Sequence, residues 1–389
     1  MRVDAVSVME VNLDHIVSNY QVVSRHVSPA LVIPVLKGNG YGHGAVAPAR
    51  VLVGTGCRKL AVARLSEARQ LRKAGIGPQD ADIIIMGPLL PDELQEAVNL
   101  EASVFAGAFW TLACLRRLAL GRARPVRFHI KVDTGMGRMG FYPAQVGRVT
   151  SLLKSMTNYR LEGVATHLRA PSQQLPCEEQ LTRFEEFLAG MSLPRGCLVH
   201  MASSSAVVCF PKLNRDAVRV GDLTYGFTSE DHPPFELRPA LAYRTRVSQV
   251  KVLPAGWHLG YGTSRVTTAP LNTALIGLGT GDGMTGSQAG RGQVLIHGTR
   301  CRVLAVCADT SIVDVSHLSG VRVGDEVVYI GTQGREALTA RDQAGFAGVG
   351  FAELLGKISF RIPRVYYQNR CCVGFMDQDS SGGIASLLS

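Results

Sequence analysis

The sequence predicts an α/β fold: a (β/α)8 TIM barrel over residues 1–237, followed by a mainly antiparallel β domain over 238–389. Three observations predict it. Between residue 30 and about 235, short runs rich in β-branched residues alternate with Arg/Leu/Ala-rich stretches of helical period, and roughly eight such units close a barrel. After about residue 240 the helical period fades, and strand-like segments follow one another across glycine-rich turns. The length of 389 residues is too great for one ordinary domain and suits two.

The expected barrel strands are 31–36 (LVIPVL), 60–63, 83–86 (IIIM), 103–105, 127–132 (RFHIKV), 163–166, 198–201 and 218–220. Strands covered on both faces need not alternate apolar with polar, and most of these do not. Helical patterns lie between them at 45–54, 66–74, 91–98, 109–120, 143–155 and 177–190. In the second domain RTRVSQVKVL, TALIGLG, GQVLIHGTRCRVLAV, SIVDVS and DEVVYIG read as strands, followed by a helix at 348–356 and a terminal SFRIPRVYY. GLGTGDGMTGSQAGRG (277–292) reads as a mobile loop and SSGGIASLLS (380–389) as a peripheral tail. The sequence contains no internal repeat.

Composition narrows the function classes. With 46% hydrophobic and 19% charged residues, the chain can fill a sizeable core and is globular rather than disordered. The net charge of +10 is scattered singly or in short groups such as Arg116-Arg117 and Arg122 to Arg127, with no aromatic interleaving. That argues for a basic surface, or a small anionic ligand, over a nucleic-acid site, which needs a concentrated patch. Nine cysteines, odd in number and without a CxxC pair, read as reduced thiols, and no metal site is expected. The N-terminus MRVDAVSVMEVNLDH lacks the apolar stretch of a signal peptide, and no run approaches the roughly 20 apolar residues of a membrane span. A cytoplasmic enzyme with no membrane partner is the expectation.

Barrel enzymes do their chemistry at the carboxyl ends of the strands. Lys37 stands at such an end, in VLKGNGYGHG (35–44), where it would point into the barrel mouth. KVDTGMGRMGF (131–141) joins a strand end to an acid, glycines and Arg138, and ATHLRA (165–170) puts His167 at another strand end. In HMASSSA (200–206) and RVGDLTYGF (219–227), hydroxyls and glycine amides at strand ends could cradle a phosphate. AGWHLGYGTSR (255–265), in the second domain, carries Tyr261 between two glycines. A dinucleotide site at 38–44 is excluded because no GxGxxG with a downstream acid appears.

Taken together and in this order, these motifs resemble the alanine racemases of the fold-type III, pyridoxal-phosphate-dependent class, over about residues 8 to 367. The resemblance implies pyridoxal 5'-phosphate as cofactor, with Lys37 forming the imine to its aldehyde. A lysine amine attacks an aldehyde near neutral pH when a nearby cation and partial desolvation favour its neutral form. Tyr41, Ser204 and the backbone amides of Gly221 and Asp222 would contact the phosphate. Arg219 would face the pyridine nitrogen; a guanidinium cannot readily give up its proton there, which restrains carbanion build-up. Racemisation needs a second base on the opposite face of Cα, and the resemblance supplies Tyr261 from the second domain of the partner chain in a head-to-tail homodimer. A tyrosine, with an ordinary pKa near 10, needs help to act as a base, and a chain from Tyr261 through His167 to Arg219 would provide it. Arg138 would hold the carboxylate of a small amino-acid substrate, fixed in turn by Lys131, which many relatives carry as a carbamate.

Several positions depart from the family pattern. GTGDG (279–283) puts Thr280 where a tyrosine is usual, Phe360 replaces another tyrosine, and Ala308-Asp309 replaces Met-Asp. Ala308 could still offer its backbone N–H to a carboxylate, and Asp309 would lend structural support. Ser203 stands for asparagine, and Gly38 and Gly40 stand for alanines. These changes widen the expected entrance and raise a second reading, an amino-acid racemase of altered or broadened specificity. Asp222, at an amide expected to face phosphate, should point its carboxylate away, since like charges repel. Two rivals remain: a fold-type III decarboxylase, disfavoured by Tyr261 and Arg138, and a non-catalytic cofactor-binding protein, disfavoured by the full second domain.

Overall fold

The computed structural model describes residues 5–262 and 265–377 and the backbone of 385–386, so the tail 380–389 lies outside the described residues apart from the short strand Ala385–Ser386. The chain divides into two compact units, one of residues 15–40 and 45–238, the other of 1–14, 41–44 and 239–389.

The first unit is an eight-stranded parallel barrel. Its strands are β1 (Leu31–Pro34), β2 (Lys59–Val62), β3 (Asp82–Ile85), β4 (Ser103–Ala106), β5 (Val126–Lys131), β6 (Tyr159–Ala165), β7 (Leu198–His200) and β8 (Ala217–Val220). Hydrogen-bonded neighbours run β1-β8-β7-β6-β5-β4-β3-β2. The ring is nearly closed just past β1, where Val35 N–H donates to Val220 C=O (2.8 Å) and Leu36 N–H to Ala61 C=O (2.7 Å). Helices such as Leu65–Lys73 and Pro91–Asn99 cover the outside, burying Leu65, Ala68 and Leu71 or Leu94, Ala97 and Val98 at helical spacing. The expected strands agree closely, except that β6 starts at Tyr159 instead of 163, its polar first half being stabilised by ladder bonds to β5.

The second unit is mainly antiparallel. Leu241–Leu253 pairs with Leu271–Ile276, with Glu326–Gln333 and with an N-terminal strand, Val8–Asn12, which also runs parallel to Arg364–Gln368. The helix expected at 348–356 is present from Phe351 to Gly356, and a further helix that was not expected, Ala340–Ala347, precedes it and ends where Gly348 turns left-handed (φ 73°). Segment 277–292 is not the loose loop expected: it forms two 3-10 turns, Thr280–Asp282 and Gly286–Gln288, with Asp282, Met284 and Gln288 buried. Among the described residues no helix is long and apolar enough to cross a membrane.

Residues 41–44 pack within this second unit, and that packing explains their glycines. The buried Arg364 guanidinium donates to the carbonyls of Gly42 (3.0 Å), Ser359 (2.6 Å), Ile362 (2.6 Å) and Ile358 (3.1 Å). A Cβ on Gly42 would lie 2.5 Å from Leu355 O, and one on Gly44 1.9 Å from the Tyr366 hydroxyl, both at positive φ. Gly44→Ala is therefore expected to destabilise the fold by about 2–3 kcal/mol, from overpacking plus left-handed strain. The urea midpoint of purified variant and parent checks it.

Candidate active site

Lys37 follows the end of β1 and opens a turn in which Gly38, Asn39 and Gly40 (φ 62°, 53° and 64°) and Tyr41 (φ 51°) are all left-handed. The two glycines lower the cost of that turn, since each L side chain there adds roughly 1–2 kcal/mol of strain. Two side chains hold it. Glu67 accepts the Gly38 N–H (2.6 Å) while its other oxygen accepts those of Ala63 (2.8 Å) and Arg64 (3.1 Å), and Asn39 Oδ1 accepts the Ala45 N–H (3.1 Å). Glu67 ties the lysine turn to the end of β2, a role that sequence reading missed; its place three residues after Arg64, at a helix start, was the available signal.

Strand alternation directs Arg127, His129 and Lys131 of β5 into the barrel. Lys131 is buried and donates to Val132 C=O (2.7 Å). Burial, then Arg219 and Arg138, push its pKa down to about 7 against the pull of Asp133. Just beyond, Asp133 accepts the N–H groups of Gly135 (3.0 Å), Met136 (2.8 Å), Gly137 (3.2 Å) and Arg138 (2.8 Å). Burial would raise this carboxyl, but the four amides outweigh it and hold its pKa below the usual value. Asp133 thus shapes the loop that presents Arg138. Gly140 completes that loop, because a Cβ there would lie 2.4 Å from Asp133 N.

His167 follows β6. Its carbonyl accepts from the buried Gln180 amide (3.0 Å), which also donates to Thr134 Oγ1 (2.9 Å). Burial first, then Arg219, Arg138, Lys131 and Lys37, push the His167 pKa down to about 3, so the imidazole is neutral at physiological pH. Arg219, on β8, donates to His200 Nδ1 (2.8 Å) and to the carbonyls of His200 (3.0 Å), Thr166 (2.7 Å) and Met201 (3.4 Å). Its burial lowers its pKa to about 10, which still leaves it charged. His200 is thus a direct partner of Arg219, which sequence reading did not assign. The Gly221 N–H reaches Ser204 Oγ (3.2 Å), so these two groups converge at the ends of β8 and of the Ser204–Cys209 helix.

Asp222 lies close enough to Lys37 for the two to interact electrostatically. Burial raises its pKa to about 6, and Lys37 pulls it back only in part. A carboxyl raised in the folded state costs stability as pH climbs from its unfolded value near 4 to about 6. In the ligand-free protein Asp222→Asn should therefore gain up to about 2 kcal/mol above pH 6 and nothing below pH 4, at 1.4 kcal/mol per pKa unit discounted for relaxation. Denaturant titrations at pH 4 and 7.5 measure the difference.

The remaining expected residues belong to the second unit. Tyr41 lies in the segment gripped by Arg364. Tyr261 sits at the tip of a hairpin closed by pairing of His258 with Val266 and is 81% exposed. Gly260 (φ 70°) and Gly262 (φ 89°) make the turn that projects it. Arg361 donates to Asp282 Oδ1 (2.7 Å) and Asp309 Oδ1 (2.7 Å), and Gly281 N–H to Ala308 C=O (2.8 Å). This joins the segments that carry Thr280 and Ala308; Phe360, the residue before Arg361, is 63% exposed.

Among the residues of the barrel mouth, Lys37, Lys131, Arg138 and Arg219 all bear on His167, while Asp133 is committed to four backbone amides. Such a set suits a ligand carrying more than one negative charge. The alanine racemase N-terminal domain model matches residues 11–229, and the alanine racemase C-terminal domain model matches 240–366. The chain is 38% identical over 369 residues to the alanine racemase of Carboxydothermus hydrogenoformans, covering 92% of this chain and 98% of that one. To that of Desulforamulus reducens it is 35% identical over 371 residues, covering 92% and 98%. Among solved structures, alanine racemase from Bacillus anthracis with bound L-Ala-P superposes with a TM-score of 0.89 at 28% identity, covering 97% of this chain and 99% of that chain. The enzyme from D-cycloserine-producing Streptomyces lavendulae gives 0.87 at 30% identity, covering 95% and 98%.

Proposed function

The chain belongs to the alanine racemase family, and from that premise we propose that it interconverts L- and D-alanine with pyridoxal 5'-phosphate, using Lys37 and Tyr261 as bases on opposite faces. The observation that carries the reading is the cation-rich mouth of the barrel, where Lys37, Lys131, Arg138 and Arg219 all bear on His167 while the Asp133 carboxylate is turned to backbone amides. That donor set fits a cofactor phosphate together with a substrate carboxylate. When bound, the cofactor supplies an electron sink that acidifies the substrate Cα–H.

The residues of the chain divide the work. Lys37 anchors the cofactor and exchanges a proton on one face. Tyr41, Ser204 and the amides of Gly221 and Asp222 hold the phosphate, and Arg219 keeps a charged donor at the ring nitrogen. His167, neutral in this surrounding, can accept from a phenol without adding a cation of its own. Arg138 and the Ala308 N–H orient the substrate carboxylate. Lys131, with a pKa of about 7, holds a large neutral fraction at physiological pH, which is the form that reacts with CO2 to give the carbamate carried by many relatives. Asp309 braces its segment through Arg361.

Tyr261 acts on the neighbouring subunit of a homodimer in this reading. Support comes from its exposure and from the apolar side chains Val250, Val252, Trp257 and Val266, all exposed on the same unit of the single chain. Unpaired thiols at all nine cysteines suit the cytoplasm. A broader substrate range is the second reading, favoured by the lost phenols at Thr280 and Phe360. The test is to incubate purified protein and added cofactor with a panel of L-amino acids and resolve the products by chiral chromatography. D-alanine as main product is expected, equal turnover of larger side chains would shift the reading to broad specificity, and CO2 release without a D-product would replace it by a decarboxylase.

A further inference from the structure

A barrel interior is ordinarily filled by layers of branched aliphatic side chains. Here a polar column runs through it instead. At its base Lys59 Nζ pairs with Asp82 (2.7 Å), Asp82 also pairs with Arg127, and Arg127 Nε donates to Glu162 Oε1 (2.7 Å). Above them His129 Nδ1 meets His200 Nε2 at 3.0 Å, and His200 Nδ1 meets Arg219 Nη1 at 2.8 Å. His129 Nε2 and Glu162 Oε2 lie 3.9 Å apart, both buried and without a hydrogen-bond partner among the described residues.

The proton positions follow by elimination. A guanidinium only donates, so His200 Nδ1 must accept. Neutral His200 then carries its proton on Nε2 and donates it to His129 Nδ1. His129 in turn carries its proton on Nε2, aimed at Glu162. One pair of tautomers suits both rings, and in it the two imidazole N–H groups point away from Arg219 and towards Glu162. Protonating either ring would add a cation beside Arg219 or set two donors face to face. Burial works in the same direction, pushing His129 down to about 3 and His200 well below its ordinary value.

Packing reserves the space for these rings. Gly163 of β6 could carry no side chain, since a Cβ would lie 2.3 Å from His129 Nδ1 and 2.6 Å from Leu198 O. The two imidazoles meet edge to face at 5.0 Å, and Phe105 closes on both, at 5.7 and 6.0 Å. A fully apolar core would fill the same volume at no greater cost in stability, so fixing an orientation is the advantage that a buried polar network offers.

We infer that Glu162 and His129 are positioning residues for racemisation: acting through His200, they fix which lone pair faces Arg219 and so lock the guanidinium at the barrel mouth in one orientation. The inference rests on the reading that Arg219 serves the cofactor ring. Glu162→Gln tests it sharply. The new side-chain amide would keep its oxygen on Arg127 and turn its NH2 towards His129 Nε2, which selects the opposite tautomers and sets a His200 N–H against Arg219.

In full-length protein labelled with 15N-histidine, the parent should hold His129 and His200 as Nε2–H tautomers with and without cofactor. Glu162→Gln should convert them to Nδ1–H or a mixture, while Glu162→Asp, which keeps the anion, should not. Alanine racemisation by Glu162→Gln should fall in kcat by roughly tenfold or more, on the scale of groups that orient an inner ligand, with KM little changed, and Glu162→Asp should recover most of it. Unchanged tautomers and kcat in Glu162→Gln would overturn the inference, as would an equal loss in Glu162→Asp. If Glu162→Gln does not fold, His129→Gln breaks the same link, and parental kcat in that variant would overturn it too. A parent that racemises nothing yet holds the Nε2–H tautomers would fault the racemase reading and leave the column standing.

Discussion

If Lys37 holds the cofactor as proposed, Lys37→Ala should abolish the visible absorbance of the imine and lower alanine racemisation by about 10³-fold or more, the scale expected when one residue serves as both nucleophile and base. The geometry gives the reason. Lys37 opens the left-handed turn and is exposed in the single chain, where Glu67 and Asn39 fix the backbone around it. The competing amine, Lys131, is buried and directed at the Val132 carbonyl (2.7 Å). Lys37→Arg should be as inactive as Lys37→Ala, because a guanidinium keeps the charge but offers no neutral amine. Absorbance spectra of the three proteins after dialysis against free cofactor decide it. A band persisting in Lys37→Ala would move the attachment to another amine, with Lys131, at a pKa of about 7, first in line.

The alternation of strands and helices was legible because each barrel unit is local, with a strand and its covering helix adjacent in sequence. The N-terminal strand Val8–Asn12 was not, because its partners, Leu241–Leu253 and Arg364–Gln368, lie more than 200 residues away and nothing local announces the pairing. Helix Ala340–Ala347 did leave a sign that was passed over, the Thr339 to Asp342 capping box, in which Thr339 Oγ1 accepts the Asp342 N–H at 3.1 Å. At the site, motif residues stood out because glycines and polar groups cluster at strand ends. The groups that hold them did not. Glu67, Gln180 and His200 look like ordinary helix or strand residues until the fold closes, and Asp133 reads as one more acid before its four amides converge on it.

Tyr261→Phe removes one hydroxyl from a residue projected at the tip of a hairpin, so the fold should be unaffected and the loss confined to proton transfer. Overall racemisation should fall by about 10²–10⁴-fold, the range for a missing general base. The two directions must fall equally in kcat/KM, because the enantiomers have equal free energy and the equilibrium constant of one is fixed whatever the enzyme. Asymmetry between the faces is therefore sought in exchange of the Cα hydrogen with solvent, which kcat/KM for racemisation does not report. In D2O the enantiomer whose hydrogen faces Lys37 should still take up deuterium within about tenfold of the parental rate, with its configuration retained, because that base is intact. Its mirror image should exchange slowly, since its hydrogen faces a ring that has no oxygen to receive it. Proton NMR of the Cα signal, started separately from L- and D-alanine, reads both rates. Equal slowing from both sides would mean that one group serves both faces, and the two-base arrangement would have to be abandoned.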